Sequence, residues 1–501
     1  MLKVRTSGGL PQLGSRSAEL HSRRVTGVLR ALALFPGLLL AACITPPKVA
    51  PVVKPVERRV DLGLTGAPAQ IGSAWWTAYQ DPQLNRLVEA ALADNPTLGE
   101  ALGRLHRAQS VVDATWAGLW PYVSYDASVT RERTSGKAAI PQQFAGSSLW
   151  LSGDLVNFSW ALDFWGRQAS LVRQARGEAD AAALDAAAAR LAIVSAVVRT
   201  YIDLERCYEL VDVARREEQQ RAQILDITRR RLSAGLDTNV ELRQAAGEVP
   251  EARVERLADE AAIDRDVHLL AALAGRGASE YGQIQHPELR AEAVLPLPTS
   301  LPIDLLARRP DVLAARLRIT AAQAGLAVAK ADFYPNINLL AFGGTAAVGE
   351  FPNLFLGRAA TYGVGPALDL PLFDAGKLKA KYRANVADID VAVAAYNQAV
   401  LTAVQETANQ LSDITSLNTS LTEQQQSLDD AEAAFRLATE RYKAGLTTYL
   451  TVLSTETQVL DARRQRVNLA SALASARVNL LIDVGGDFRP DSPVMAAAAR
   501  R

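Results

Sequence analysis

Six glycines fall at one fixed offset: Gly166, Gly235 and Gly275 recur 210 residues later as Gly376, Gly445 and Gly485. Two prolines repeat as well, Pro96 with Pro310 and Pro121 with Pro335, both 214 apart. The difference of four residues places a slightly longer surface loop between Pro121 and Gly166 than in the partner segment. In each half, 68 proline-free residues rich in Ala, Leu, Gln and charge separate the first glycine from the second. One unit of roughly 200 residues is therefore used twice, which constrains the fold more than any single motif does.

Sixty-eight helical residues would run about 100 Å at 1.5 Å per residue, too long for a globular core. Leu184, Leu191 and Val198 stand seven apart, as do Val194, Tyr201 and Tyr208. Leu401, Val404, Ala408 and Leu411 continue a comparable seam in the second half. Seven-residue spacing predicts supercoiled packing. Gly235 and Gly445 reverse the chain, and helices of about 39 residues return to Gly275 and Gly485, the first carrying a kinking Pro250. Alanine excess suits such packing: apolar residues make up 49% of the chain but aromatics only 6%.

The period changes to two after Pro121, where Val123, Tyr125, Ala127 and Val129 alternate with Ser124, Asp126, Ser128 and Thr130. Val156, Phe158, Trp160 and Leu162 alternate likewise, as do Ile337 and Leu339, and then Tyr362, Val364, Leu368 and Leu370. Strands of roughly ten residues are long enough to cross a bilayer at a tilt. Two hairpins cannot close a barrel, and open sheet edges are not tolerated in hydrocarbon, so other copies of the chain must supply the missing strands.

The N-terminus reads as a secretory signal. Arg23, Arg24 and Arg30 precede the apolar run 31–42, which is too short to span a membrane and ends at Cys43. Leu40-Ala41-Ala42-Cys43 resembles a bacterial lipobox, which implies acylation of Cys43 and, with Ile44 next, an outer-membrane destination. Without residues 1–42 the chain has 48 basic and 53 acidic side chains, a balance that gives no reason to expect a nucleic-acid partner. The expected division is a signal peptide over 1–42, a lipid-anchored extended tether over 43–80, a first repeat over 81–290, a second over 291–489 and a tail over 490–501. Cys207, the other cysteine, is expected as a small buried hydrophobe.

Helix, strand, strand, long helix and returning helix, duplicated behind a lipobox, resembles the TolC-like outer-membrane factors, specifically the NodT/OprM lipoprotein branch. The resemblance covers roughly residues 70–488 and rests on local motifs. These are Asp81–Pro96 at the opening helix, Leu301–Asp311 and Ala331–Pro335 at the start of the second repeat, Leu368–Gly376 at the sheet-to-helix crossover, and Tyr442–Gly445 with Tyr449–Leu453 at the tip. The resemblance implies a mainly helical fold with membrane β-structure: a homotrimeric α-barrel continuous with a twelve-stranded β-barrel, four strands per chain. It implies the outer-membrane exit duct of a tripartite efflux system, a passive conduit for small molecules. Its partners would be a periplasmic adaptor of the membrane-fusion type, an inner-membrane transporter of RND type, and outer-membrane lipid. A type I protein-secretion duct would use the same tube, and a non-pore coiled-coil lipoprotein is the reading from another class.

One departure concerns the aperture. OprM-like proteins carry an aspartate just after the Tyr-Leu-Thr-Leu-Leu stretch, where this chain has Ser454, and an acidic position of TolC falls on Thr451. Glu456 is expected on a different face. Tyr442 and Glu241 carry over as aperture candidates, with Glu241 accepting a hydrogen bond from Tyr442 or pairing with a cation, and with apolar packing at Leu450 and Leu453. No catalytic, cofactor or metal constellation is found: the four histidines are isolated, and no G-x-S-x-G, P-loop or G-x-G-x-x-G occurs. Gly343-Gly344 and Gly363 fall in strands, where close backbone approach explains them.

Overall fold

The computed structural model describes residues 45–56, 74–137, 142, 145–289, 308–349 and 351–488. Cys43, the signal region and most of Leu301–Asp311 lie outside them. In the first half the elements are α1 (Pro82–Asp94), α2 (Pro96–Ala117), β1 (Tyr122–Arg133), β2 (Ser148–Leu162), α3 (Arg167–Ser233) and α4 (Asn239–Leu273). The second half supplies α5 (Pro310–Ala331), β3 (Asn336–Gly349), β4 (Ala360–Asp369), α6 (Lys377–Lys443) and α7 (Tyr449–Asp483). The chain is thus mainly helical with one sheet, and its elements come in the same order twice.

All six repeated glycines have positive φ, between 68° and 100°, where an L side chain is strained. Gly235 and Gly445 follow α3 and α6 in matching turns: the Leu236 N–H donates to Arg231 O at 2.9 Å and the Leu446 N–H to Arg441 O at 2.8 Å. These are the paired C-terminal bonds of a Schellman motif. At Gly275 a Cβ would also lie 2.4 Å from Asp94 O, so the end of α4 sits directly on the end of α1.

Contacts divide the chain into two units, one built on Trp116–Leu171 and Gly325–Val386, the other on Pro51–Thr115, Val172–Ala324 and the helices after Val386. The first unit holds the sheet, in the order β1-β2-β3-β4 with every pair antiparallel. Register places Val123, Phe158, Ala341 and Val364 in one row, and Tyr125, Val156, Gly343 and Tyr362 in another. Every apolar residue that alternates in the sequence within these strands therefore falls on one face. The opposite face carries Ser124, Asp126 and Asn157, with the Asn157 amide donating to Asp126 Oδ2 at 2.7 Å. Gly344 permits the β2–β3 joint, since a Cβ there would meet Asp154 O at 1.9 Å. Among the described residues β1 and β4 each have a neighbour on one side only.

In the second unit α1 packs Leu84, Leu87 and Val88 on Val194, Val198, Tyr201 and Leu204 of α3, with Leu270 of α4 and Leu481 of α7. Asp81 caps α1 by accepting from the Gln83 N–H at 2.8 Å, and its other oxygen accepts from the Tyr201 hydroxyl at 2.6 Å. The last residues of the span expected as a tether, 43–80, take part in the helical core. Trp75–Tyr79 form a 3₁₀ turn whose Trp75, Trp76 and Tyr79 lie in this core, because two indoles bury more area than an extended linker would leave exposed. Extended residues 52–56 lie along α6: Val52 and Val53 donate to Asp390 Oδ1 at 2.8 Å each, and Val56 to Asn397 Oδ1 at 2.8 Å.

Two further expectations are refined. Within one chain Leu401 of α6 is 52% exposed, and the buried apolar positions of this helix are Val386, Ile389, Val393, Ala403, Leu428, Ala438 and Tyr442. Helix α4 contains Pro250 and spans 35 residues, fewer than the expected 39, because the turns beside the glycines take up the rest.

Candidate functional site

The two helical turns, Ala234–Thr238 and Ala444–Thr448, are tied together by one arginine. Arg231, in the last turn of α3, makes a bidentate pair with Asp237: Nε to Oδ2 at 2.9 Å and Nη2 to Oδ1 at 3.1 Å. Its Nη1 donates to the main-chain carbonyl of Tyr442, at the end of α6, and its guanidinium lies over the Tyr442 ring, 4.4 Å from the centroid. The Tyr442 hydroxyl donates to Asp237 Oδ2 at 2.6 Å and lies 3.1 Å from Thr228 Oγ1. Burial pushes that hydroxyl up to about 12, with the bond to Asp237 adding to the effect, so it stays a donor. Tyr442 is wholly buried, and the Arg231 and Asp237 side chains nearly so. A buried ion pair of this kind is costly to break on one side, because the remaining charge loses its partner.

Around this knot pack Ile224, Leu225, Ala245, Val249, Ala438, Tyr449 and Val452, with Leu453 at the edge. Helices α3, α4, α6 and α7 all contribute. The knot therefore registers the first hairpin, α3–α4, against the second, α6–α7.

Among the residues singled out from sequence, Tyr442 stands at the centre of the knot. Glu241 does not accept its hydrogen bond. Instead Glu241 closes a capping box at the start of α4: its Oε2 accepts from the Thr238 N–H at 2.9 Å and from the Thr238 hydroxyl, bonds that hold the carboxyl below its usual range. Asp237 takes the expected role because it precedes the cap and turns inward, whereas position 241 is bound to its own N-terminus. Ser454 and Thr451 are exposed, and the Ser454 hydroxyl donates to Thr451 O of its own helix at 3.0 Å. Leu450 is 68% exposed, so within one chain it takes no part in the core.

Above the knot lies a second arrangement that the sequence reading missed. Glu217 of α3 and Glu456 of α7 are both buried, and the charge of Arg221 acts on both. Arg221 lies 2.8 Å from Glu217 Oε1 and 2.9 Å from Glu248 Oε2. Among the described residues, neither oxygen of Glu217 nor Oε1 of Glu456 receives a hydrogen bond. Burial pushes Glu456 up to about 7; Arg221 opposes the shift, while Glu217 and Glu248 add to it. Burial raises Glu217 in the same way. Arg221 thus faces Glu217, Glu248 and Glu456 in a largely buried interface, with Arg464 acting on Glu217 as well, and burial favours the protonated form of Glu217 and Glu456. A signal existed in the sequence, since Glu456 interrupts the apolar run from Tyr449 to Leu460 on the inward face of α7, but its partners lie more than 200 residues away.

Residues 87–276 and 301–486 match the family described as outer membrane efflux protein. The chain is 34% identical over 374 residues to the fusaric acid resistance protein FusA of Burkholderia cepacia, a match covering 72% of this chain and 70% of that one. Its fold superposes on the outer membrane protein VceC of Vibrio cholerae with a TM-score of 0.78 at 32% identity, covering 84% of this chain and all of the other. The outer-membrane channel OprN gives the same score at 26% identity, covering 89% and 99%. A duplicated helical body carrying an amphipathic four-stranded sheet accords with these matches: the chain belongs to the outer membrane efflux protein family and is a channel protein of the outer membrane.

Proposed function

We propose that three copies of this chain close one pore. The observation that carries the reading is the open pair of edges: β1 and β4 are amphipathic, antiparallel and half-paired, and hydrocarbon does not accept unpaired main-chain groups. Four strands in each of three copies make a twelve-stranded barrel, with the Val364–Tyr362 face toward lipid and the Asp126–Asn157 face toward the lumen. The two halves, 81–290 and 291–489, each supply one strand hairpin and one helical hairpin, so three copies bring six helical turns together. There the Arg231–Asp237–Tyr442 knot holds each protomer's hairpins together in a closed arrangement. Exposed Leu450, Thr451 and Ser454, with Leu453 beside them, face the neighbouring copies. With Ser454 in place of a carboxylate, closure depends on packing rather than on a cation-binding ring.

Acylated Cys43 anchors the chain in the outer membrane, and the tether pinned at Asp390 and Asn397 leads from it. The conduit is passive and catalyses nothing. A periplasmic adaptor opens it, and an inner-membrane pump of RND type drives small molecules through. Native mass measurement in detergent tests the assembly: trimers are expected, and a stable monomer that inserts into bilayers would sink the reading. Palmitate labelling that is equal in wild type and Cys43→Ser would remove the anchor.

A further inference from the structure

The start of α6 runs against helix electrostatics. Lys377, Lys379, Lys381 and Arg383 stand in its first two turns, where the positive end of the macrodipole disfavours cations. All four are exposed. Lys381 is tied to Asp332 at 2.6 Å, which Arg167 also contacts at 2.7 Å; Lys379 and Arg383 make no ion pair among the described residues.

Beside this charge lies exposed aromatic surface, at equivalent places in the two halves. Between β2 and α3 come Phe164, 66% exposed, and Trp165, which stacks on Tyr334 at 4.8 Å. Between β4 and α6 come Leu372 and Phe373, the latter 87% exposed. Both crossovers are capped by an aspartate. Asp163 accepts from the N–H groups of Gln168 and Ala169, and Asp374 from those of Gly376 and Leu378. Ala375 is held at φ 52°, a strained value for a residue with a Cβ, in the turn that presents Phe373 outward. Strain, exposed aromatics and cations at the wrong helix end coincide where the amphipathic sheet stops.

We infer that this rim, Phe164, Trp165, Leu372 and Phe373 with Lys377, Lys379 and Arg383, is a seat for anionic phospholipid on the leaflet nearest the helices. The inference rests on the barrel reading, which puts the strand ends at a membrane–water boundary. Aromatic rings settle at such a boundary, and phosphodiester head groups supply a counter-charge for Lys379 and Arg383. The rim is continuous with the lipid-facing rows of β4, and its charge complements an anionic head group rather than a zwitterionic one.

The test uses the full-length protein in nanodiscs of phosphatidylethanolamine with a minority of phosphatidylglycerol, followed by native mass spectrometry of the retained lipid. Wild type should enrich phosphatidylglycerol about fivefold or more, and the triple variant Lys377→Gln, Lys379→Gln, Arg383→Gln should fall near parity with its assembly intact. Phe373→Ser should reduce total retained lipid while keeping the head-group preference. Equal enrichment in wild type and the triple variant would overturn the seat. So would a triple variant that changes the ion selectivity of the pore, placing the cations in the lumen, or that falls apart in lipid-free detergent, placing them between copies. Wild-type conductance in the same bilayers checks the barrel separately: a conducting pore without lipid preference removes the seat and leaves the channel.

Discussion

Helices α3 and α6 have the same length, 67 residues, and equivalent places in the two halves, yet α3 buries 22 apolar side chains in its own chain and α6 only seven. No large apolar side chain of α3 is exposed, whereas Val391, Leu401 and Leu437 of α6 are 69%, 52% and 62% exposed. Duplication has preserved the element and changed its surroundings. The first long helix is the internal spine against which α1, α4 and α7 pack. The second keeps apolar surface outside its own chain, as a helix does when its partner is another copy.

That contrast is easiest to break with charge. Val198→Asp on α3 puts an unpaired carboxylate among Leu84, Tyr201 and Leu270, and should cost about 3–5 kcal/mol, enough to prevent recovery of folded protein. Leu401→Asp on α6 should leave the helical circular-dichroism signal intact and abolish trimers in native mass spectra. A folded, trimeric Leu401→Asp would mean that α6 faces solvent rather than a neighbour. Cavities should sharpen the same contrast. Leu204→Ala is expected to lose about 3 kcal/mol in denaturant unfolding of the helical signal, and Leu437→Ala less than about 0.5 kcal/mol, measured on dissociated protomers.

Acidity probes the packing of α7 on α3. Glu456 has its pKa raised above the unfolded value, so its contribution to stability is fully present below the ordinary carboxylate range and is lost as pH rises through about 7. The packing of α7 on α3 should therefore loosen by on the order of 1–3 kcal/mol between pH 5 and pH 8. Glu456→Gln should flatten that dependence, and Glu423→Gln, on exposed α6 surface, should not. Hydrogen exchange of α7 at the two pH values reads the difference; an unchanged slope in Glu456→Gln would show that another group titrates. A modest effect belongs to the knot, where α6 does meet α3. Tyr442→Phe removes the hydroxyl bond to Asp237, worth about 1 kcal/mol, and should raise single-channel conductance modestly. No change in conductance would confine the knot to holding one protomer together.

Much of this organisation was legible because it is written in local rules. A glycine that must adopt positive φ recurs wherever the same turn recurs, so a fixed offset located all six turns. Alternation placed the apolar residues of four strands on one face, and pairing across the sheet only had to keep that parity. What failed was partner choice. Heptad spacing marks Leu401 as a packing position but cannot say whether the partner is the same chain. Asp237 and Glu241 are both tip carboxylates by position, and only the capping box, which claims Glu241, frees Asp237 for Tyr442. Helical angle alone sets Glu456 apart from Ser454, but its burial and the charges of Arg221 and Glu217 that act on it come from segments remote in sequence.

The joint between β2 and β3 has a consequence for copy number. It fastens the first half of the chain to the second by main-chain bonds over thirteen paired positions, with Gly344 cut away to let the strands meet. The proposed joint between β4 and the next copy's β1 is of the same kind, so the ring contains six like joints, three made by chain connectivity and three by association. A single-repeat ancestor would need six identical subunits and would show six identical grooves along its wall. Fusing the repeats in pairs halves the number of encounters needed to close the ring, and lets alternate grooves, lined by α3 and by α6, diverge until a partner can tell them apart.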